Sequence, residues 1–235
     1  MKIAIMQPYF FPYIGYFQLI ASVDRFILCD DVQYIRHGWI NRNRILSCNG
    51  NPQYIILPVA RHGSRDPIRM VKVADVDGWP ATIFRQLEIY KKDAPYYKEV
   101  IRLLETCLLS QEKDITVFNA QCIQAVCNYI GIPFYVEISS RLQLDYSNVK
   151  VTDDWAITIC RQLNALHYYN PPGGIQLYKK ERFSANNLGL HFVNPRLREY
   201  PQLNKPFMPA LSVIDVMMFN HPSEIKQMLN EFELI

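Results

Sequence analysis

Residues 30–45, DDVQYIRHGWINRNRI, hold the densest set of chemically capable side chains in the chain. Asp30 and Asp31 offer carboxylates and His37 a titratable imidazole, the groups from which a general acid or base is drawn. Arg36, Arg42 and Arg44 lie among Gln33, Trp39, Asn41 and Asn43. Guanidinium groups beside neutral hydrogen-bonding side chains suit a diphosphate and sugar hydroxyls. Each residue taken alone is better read as part of a solvated surface loop. Together, in a loop directly after an apolar run, they point to a site, because α/β proteins build sites from polar loops at strand ends. The expected ligand is anionic, and its binding should weaken as salt rises.

The elements that must position this loop come first in the chain. Residues 2–6 are a short apolar run suited to a buried strand, and 7–13 a loop bounded by prolines. Residues 14–22 read as a helix and 25–29 as a second strand. Two strands joined by a helix lie parallel and adjacent, with ligands gathering at their carboxyl ends. That places Gln7 and Asp30-Asp31 at the mouth of the sheet, and Asp30, Asn41 and Arg42 are expected to face one cavity with Gln7. Residues 6–34, MQPYFFPYIGYFQLIASVDRFILCDDVQY, have a layout that resembles the entrance of nucleotidyltransferases. Those enzymes carry H-x-G-H at the turn into the helix, where histidines and the helix N-terminus hold triphosphate oxygens. Here the turn is Tyr13-Ile14-Gly15-Tyr16. Gly15 would let a nucleotide approach the backbone, and Tyr13 and Tyr16 can donate hydrogen bonds, but neither supplies a cation. Ser139 and Ser140, followed by Arg141, are similar to the serine-containing phosphate loop of the same enzymes.

Further along, 53–59 and 69–73 read as strands, and 79–92, 96–109 and 115–130 as helices. Asp114 is the expected N-cap of the last of these. Residues 134–138 read as a strand, 152–166 as a helix capped by Thr152, 188–193 as a last strand, and 212–220 and 223–231 as closing helices. Pro171-Pro172-Gly173-Gly174 is a turn whose glycines could also cradle a ligand. Asp215 falls in an apolar helical stretch and needs a partner, for which Arg42 is a candidate. The 235 residues suit one α/β domain, with 79–130 as a helical insertion.

Composition narrows the function. A net charge of +3 gives no strong nucleic-acid signal. The six cysteines form no C-x-x-C pair and read as reduced, and the histidines lack metal-ligand spacing. No G-x-S-x-G elbow is present, and no apolar stretch approaches the roughly 20 residues that cross a bilayer. The apolar run at the N-terminus is broken by Pro8 and Pro12, which makes a poor signal peptide. A cytoplasmic protein with no membrane and no metal site is expected.

The segments QPYFFPYIGYFQLI, DDVQY, GWINRNRI, the Ser139-Ser140 pair and LSVIDVMMFN resemble the WbqC-like family over nearly the whole chain. The resemblance implies a role in bacterial O-antigen or related surface-polysaccharide pathways, where members are described as glycine transferases acting on an amino sugar. With the nucleotidyltransferase likeness, it implies a mainly parallel Rossmann-like sheet of the HUP type with extra helices. The substrate-binding positions are then Gln7, Tyr13, Gly15, Tyr16, Gln33, Trp39, Asn41, Arg42, Arg44, Ser139 and Ser140, with His37, Asp30 and Asp31 as catalytic candidates. Partners are a nucleotide-linked amino sugar and an acyl or aminoacyl donor. The donor stays open. Free glycine activated by ATP, with Mg, would pass through an adenylate, and a thioester or a charged tRNA would need neither. The other reading is a non-catalytic nucleotide- or sugar-binding protein in which Tyr13 and Tyr16 mark a degenerate nucleotidyltransferase site.

Overall fold

In the computed structural model, which describes residues 1–203 and 206–235, the N-terminal expectation holds: β1 (Lys2–Met6), α1 (Ile14–Ala21) and β2 (Arg25–Leu28) form a crossover unit. The two strands pair in parallel, with Ala4 opposite Phe26 and Met6 opposite Leu28. β1 sorts its side chains by the period of two that a pleated strand imposes. Ile3 and Ile5 enter the hydrophobic cluster on one face, and Ala4 enters the cluster on the other.

The next segment departs from expectation. Arg42–Leu46 is a strand, β3, paired antiparallel with β4 (Pro52–Ile56) in a separate two-stranded ribbon. The polar types in RNRIL suggested a loop, but Asn43 and Ile45 alternate with Arg42 and Arg44. That alternation buries one face and leaves the arginines on the other. Residues 69–73 form no strand. A 3₁₀ turn spans Ile68–Met70, and Val73 makes only an isolated bridge to Val59.

The helices α2 (Trp79–Leu87), α3 (Tyr97–Leu108) and α4 (Ile115–Ile130) follow. Their buried Ile83, Leu104 and Phe118 join the same cluster as Ala4 and Leu28. Asp114 caps α4 as expected, its Oδ1 accepting from the Thr116 and Val117 amides at 2.9 and 3.2 Å. Such a cap contributes about 1 kcal/mol. At the other end Gly131, at φ +76°, closes the helix in the left-handed region.

β5 (Glu137–Ile138) is shorter than predicted, and α5 runs Thr152–Gln162. Thr152 is the first helical residue rather than the cap; the Asp154 carboxylate accepts from the amides of Lys150 and Val151. β6 (His167–Asn170), for which the sequence pattern predicts no strand, begins directly where the predicted helix 152–166 ends. α6 (Lys180–Ser184), β7 (Gly189–Pro195), α7 (Val213–Phe219), α8 (Pro222–Met228) and β8 (Phe232–Leu234) complete the chain.

The main sheet has the order β5-β2-β1-β6-β7-β8, parallel except for the β7–β8 pair. Helices cover both faces, α5 and α6 on one and α1, α3, α4, α7 and α8 on the other, so this is a Rossmann-like α/β arrangement. The chain builds outward from β1 to β2 and β5, then returns to β1's other side with β6. That reversal is a topological switch point. Loops leaving β1 and β6 diverge there, and the gap between them at the strands' carboxyl ends is where open α/β sheets bind ligands. Among the described residues no helix is long and apolar enough to cross a membrane.

Candidate functional site

A cavity of about 620 Å³ opens at this switch point. β1 contributes Met6 and then Gln7, β6 contributes Asn170 and the Pro171–Gly174 turn, β3 contributes Arg44, and α5 contributes Trp155. The volume lies in the range of small-molecule sites, about 300–1,000 Å³. Aromatic rings dominate its walls, from Tyr9, Tyr13, Trp39, Trp155, Tyr168 and Tyr178.

The loop 7–13 after β1 is fixed by donors from distant parts of the chain. Asn43 Nδ2 donates to the carbonyls of Phe10 and Phe11 at 3.0 and 2.9 Å, and Asn119 Nδ2 to those of Pro8 and Ile40 at 2.8 Å. Ser212 Oγ donates to the Phe11 carbonyl, and the Val213 amide to that of Pro12. This network holds Phe11 at φ +39°, a conformation that costs a non-glycine residue about 1–3 kcal/mol and persists only where surroundings over-determine it. Behind the loop the fully buried Tyr16 hydroxyl donates to the Gln7 carbonyl at 2.9 Å. The Gln7 backbone is thereby anchored, while its side-chain amide makes no hydrogen bond among the described residues and lines the cavity.

Among the described residues, one cation stands in the cavity wall. Arg44 places its guanidinium 5.5 Å from the Trp39 ring centre and donates from Nη2 to the Ala210 carbonyl at 3.3 Å. Its Nε is buried without a partner, and no carboxylate of the described residues lies within ion-pair distance of it. The remaining titratable groups are held neutral. Burial raises the Tyr9 and Tyr13 phenols above their ordinary range, Tyr9 also through its neighbour Tyr13. Burial likewise pushes the Cys29 thiol up to about 12. At neutral pH the described residues of the cavity therefore present one positive charge, several phenol donors and the amides of Gln7 and Asn170.

The turn after β6 is shaped to Asn170. Asn170 Nδ2 donates to the Tyr168 hydroxyl at 2.6 Å, and that hydroxyl contacts the Tyr178 hydroxyl at 3.2 Å. Gly174 approaches so closely that a Cβ there would lie 2.2 Å from Asn170 Oδ1. The absent side chain at 174 is what gives Asn170 its place.

The model of the WbqC-like protein family matches residues 7–227, a span that contains every cavity-lining loop just described. The chain belongs to the WbqC-like protein family. A relative, the uncharacterized protein Rv1507c of Mycobacterium tuberculosis, is 32% identical over 228 residues, covering 95% of each chain. No solved structure matches.

Within this WbqC-like chain the candidate residues divide into four groups. Gln7, Tyr13, Trp39 and Arg44 line the cavity. Gly15 and Tyr16 support it from behind. The space beside Gly15 is filled by the Tyr13 ring, whose atoms would lie 2.4–2.6 Å from a Cβ at 15, so a side chain rather than a nucleotide approaches this backbone.

Asp30, Asp31, Ser139 and Ser140 form a second cluster joining the ends of β2 and β5. Asp30 accepts from the Ser140 amide at 3.1 Å and hydroxyl at 2.8 Å. Ser139 Oγ lies 3.0 Å from Asp30 and 2.7 Å from Asp31, and having one hydrogen it donates to one of them at a time. Arg69 Nε stands 3.2 Å from Asp31. Cys29 and Val32, on either side of the two aspartates in sequence, line the cavity, whereas neither aspartate does.

Gln33, His37, Asn41 and Arg42 lie outside the cavity lining. Gln33 donates to the Ser64 carbonyl, and Asn41 joins the Tyr34 hydroxyl to the Leu57 carbonyl. Arg42 covers the Tyr54 ring at 4.3 Å and donates to the carbonyls of His37 and Gly38. Arg42 is therefore not the partner of Asp215. That buried carboxylate accepts instead from the Tyr90 and Tyr200 hydroxyls at 2.6 and 2.7 Å and from Gln202 at 2.7 Å. Burial raises its pKa.

Sequence reading missed Tyr9, Trp155, Asn170 and Tyr178. The available signal was the Pro-Pro-Gly-Gly turn, since such a turn after a strand marks a carboxyl end. Among the described residues no group of three or more His, Cys, Asp or Glu side chains is placed to hold a metal ion.

Proposed function

We propose that this chain is a transferase that takes a nucleotide-linked amino sugar into the switch-point cavity and joins an acyl group, glycyl first among the candidates, to the sugar's amine. The observation that carries this reading is the Arg44 guanidinium, uncompensated by any carboxylate of the described residues and set among aromatic rings at the switch point. A cation in a partly desolvated wall favours an anionic group such as a diphosphate. Aromatic faces suit a base and the apolar face of a sugar. Gln7 and Asn170 supply amides for hydroxyl and amine groups. Membership of the WbqC-like family supports an amino sugar of bacterial surface polysaccharide as the acceptor.

Amide formation needs a neutral amine, an activated acyl carbon and a place for the amine's proton. The lining residues include no carboxylate and no imidazole, and the phenols and thiol stay protonated at neutral pH. The proton is then carried off by the departing group of the acyl donor. In this reading Asp30 and Asp31 position the cavity wall through Cys29 and Val32. The same lining favours, as the second reading, a protein that binds the sugar nucleotide without catalysis.

Calorimetric titration with thymidine-diphosphate-linked amino sugars tests the binding. Wild type should bind, and Arg44→Ala should lose about 1.5–3 kcal/mol of affinity, the worth of a hydrogen bond to a charged group, with little change in melting temperature. Binding without acyl transfer from any donor would select the second reading. A failure of every nucleotide sugar to bind would sink both.

A further inference from the structure

From Gln33 to Val73 the chain carries six arginines and Lys72 against the single acid Asp66, although the whole molecule has a net charge of only +3. The fold gathers this excess onto one surface. The stretch 33–34 is tied to the loop 60–67 by the Gln33–Pro67 bridge, by the Tyr34 amide to the Asp66 carbonyl, and by the Tyr34 and His62 rings at 4.7 Å. The β3–β4 ribbon adds Arg42 and Arg44, opposite Ile56 and Tyr54 in register. Arg69 and Lys72 are paired with Asp31 and Asp114, but Arg36, Arg42, Arg44, Arg61 and Arg65 have no acidic partner among the described residues. Between these guanidiniums stand exposed rings and aliphatic groups: Trp39 is 38% exposed, Tyr54 40% and Ile35 56%.

We infer that this surface docks the single-stranded end of an RNA, and that the RNA is the acyl donor for the cavity. Unpaired arginines meet phosphates, and exposed aromatic faces stack unpaired bases; together they are the recognition chemistry of single-stranded nucleic acid. All five of these cations without an acidic partner are arginines, which favours bidentate phosphate contact over the diffuse lysine charge suited to a membrane surface. Trp39 and Arg44 belong both to this surface and to the cavity wall, so one end of a strand lying on it reaches the cavity, and the 3′ end is the one that carries the ester.

The chemistry closes without a further reagent. The sugar amine attacks the ester carbon of an aminoacyl RNA, the C–N bond forms and the bond to the ribose oxygen breaks. That oxygen leaves with the proton the amine gives up. A transfer RNA charged with an amino acid supplies this ester, and no group in the cavity has to act as base. The donor assignment rests on the transferase reading above; the RNA surface does not.

Fluorescence anisotropy with labelled, uncharged transfer RNA and with a short oligonucleotide ending in CCA tests the surface. If about four arginines meet phosphates, affinity should fall roughly 50-fold between about 50 and 200 mM salt. Arg61→Glu with Arg65→Glu, both exposed and outside the cavity, should weaken RNA binding about 20-fold at about 0.1 M salt and flatten the salt slope. Nucleotide-sugar titration of that variant should be unchanged. Lack of RNA binding, RNA binding indifferent to the double substitution, or binding to anionic lipid vesicles in place of RNA would each overturn the inference. RNA binding without sugar binding would overturn the transferase reading and leave the RNA surface standing. Transfer of the glycyl group from glycyl-tRNA to the sugar amine, read as the N-glycyl sugar by mass spectrometry, would confirm the donor, and RNA and sugar binding without that product would overturn it.

Discussion

Gly174→Ala is the most incisive single perturbation of the site. A Cβ at 174 would sit 2.2 Å from Asn170 Oδ1 and 3.0 Å from Tyr178 Cδ2. Asn170 is only 7% exposed, so its side chain cannot swing into solvent. It must rotate within the wall, which breaks the 2.6 Å hydrogen bond to the Tyr168 hydroxyl. Losing a buried hydrogen bond costs about 1–3 kcal/mol, and the added methyl in a packed region about as much again. A total of roughly 2–6 kcal/mol corresponds to a fall in melting temperature of about 4–24 °C for a chain of this size. Nucleotide-sugar affinity should fall with it, because the amide of Asn170 leaves its place. The control is Asn170→Ala. In that background the methyl meets no carboxamide, and Gly174→Ala should cost less than about 1 kcal/mol, giving a coupling energy beyond the few tenths expected of independent sites. Strictly additive substitutions, or a Gly174→Ala protein with wild-type melting temperature and affinity, would refute the claim that this glycine exists to seat Asn170.

Tyr16→Phe strands the Gln7 carbonyl and should cost about 1–3 kcal/mol by denaturant titration, with weaker ligand binding; an unchanged midpoint would show that Gln7 is held otherwise. For Asp215 the sign follows from its raised folded pKa: the folded state favours the protonated form, so its contribution is fully present below 3.8 and is lost as pH rises through the folded value. The melting-temperature advantage of wild type over Asp215→Asn should accordingly shrink with rising pH, and a gap that widens would contradict the burial account. Thiol labelling under native conditions should modify the exposed Cys48 first and leave Cys29 untouched, as mass spectrometry of peptides would record; rapid modification of Cys29 would mean that the cavity wall opens.

Local periodicity decides the elements whose signal lies in adjacent residues. The β1–α1–β2 unit, the Asp114 cap and the helices of 79–130 were legible because apolar spacing and capping chemistry act over a few positions. Family membership was legible for the same reason, in contiguous runs such as QPYFFPYIGYFQLI. Within the polar run 30–45, residue type alone ranked Asp30, His37 and Arg42 beside Trp39 and Arg44. Only the fold separates them. The pleat of β3 assigns the facing of Arg42 to Arg44, and packing then covers Tyr54 with Arg42 and leaves Arg44 in the cavity wall. Asp215 shows the same limit, since its partners Tyr90 and Tyr200 come from separate segments that only the closed core brings within 2.7 Å. The cavity itself is a tertiary object. It exists because the chain reverses direction across β1, which sets Gln7 beside Asn170, some 160 residues apart along the chain but at the ends of adjacent strands in space.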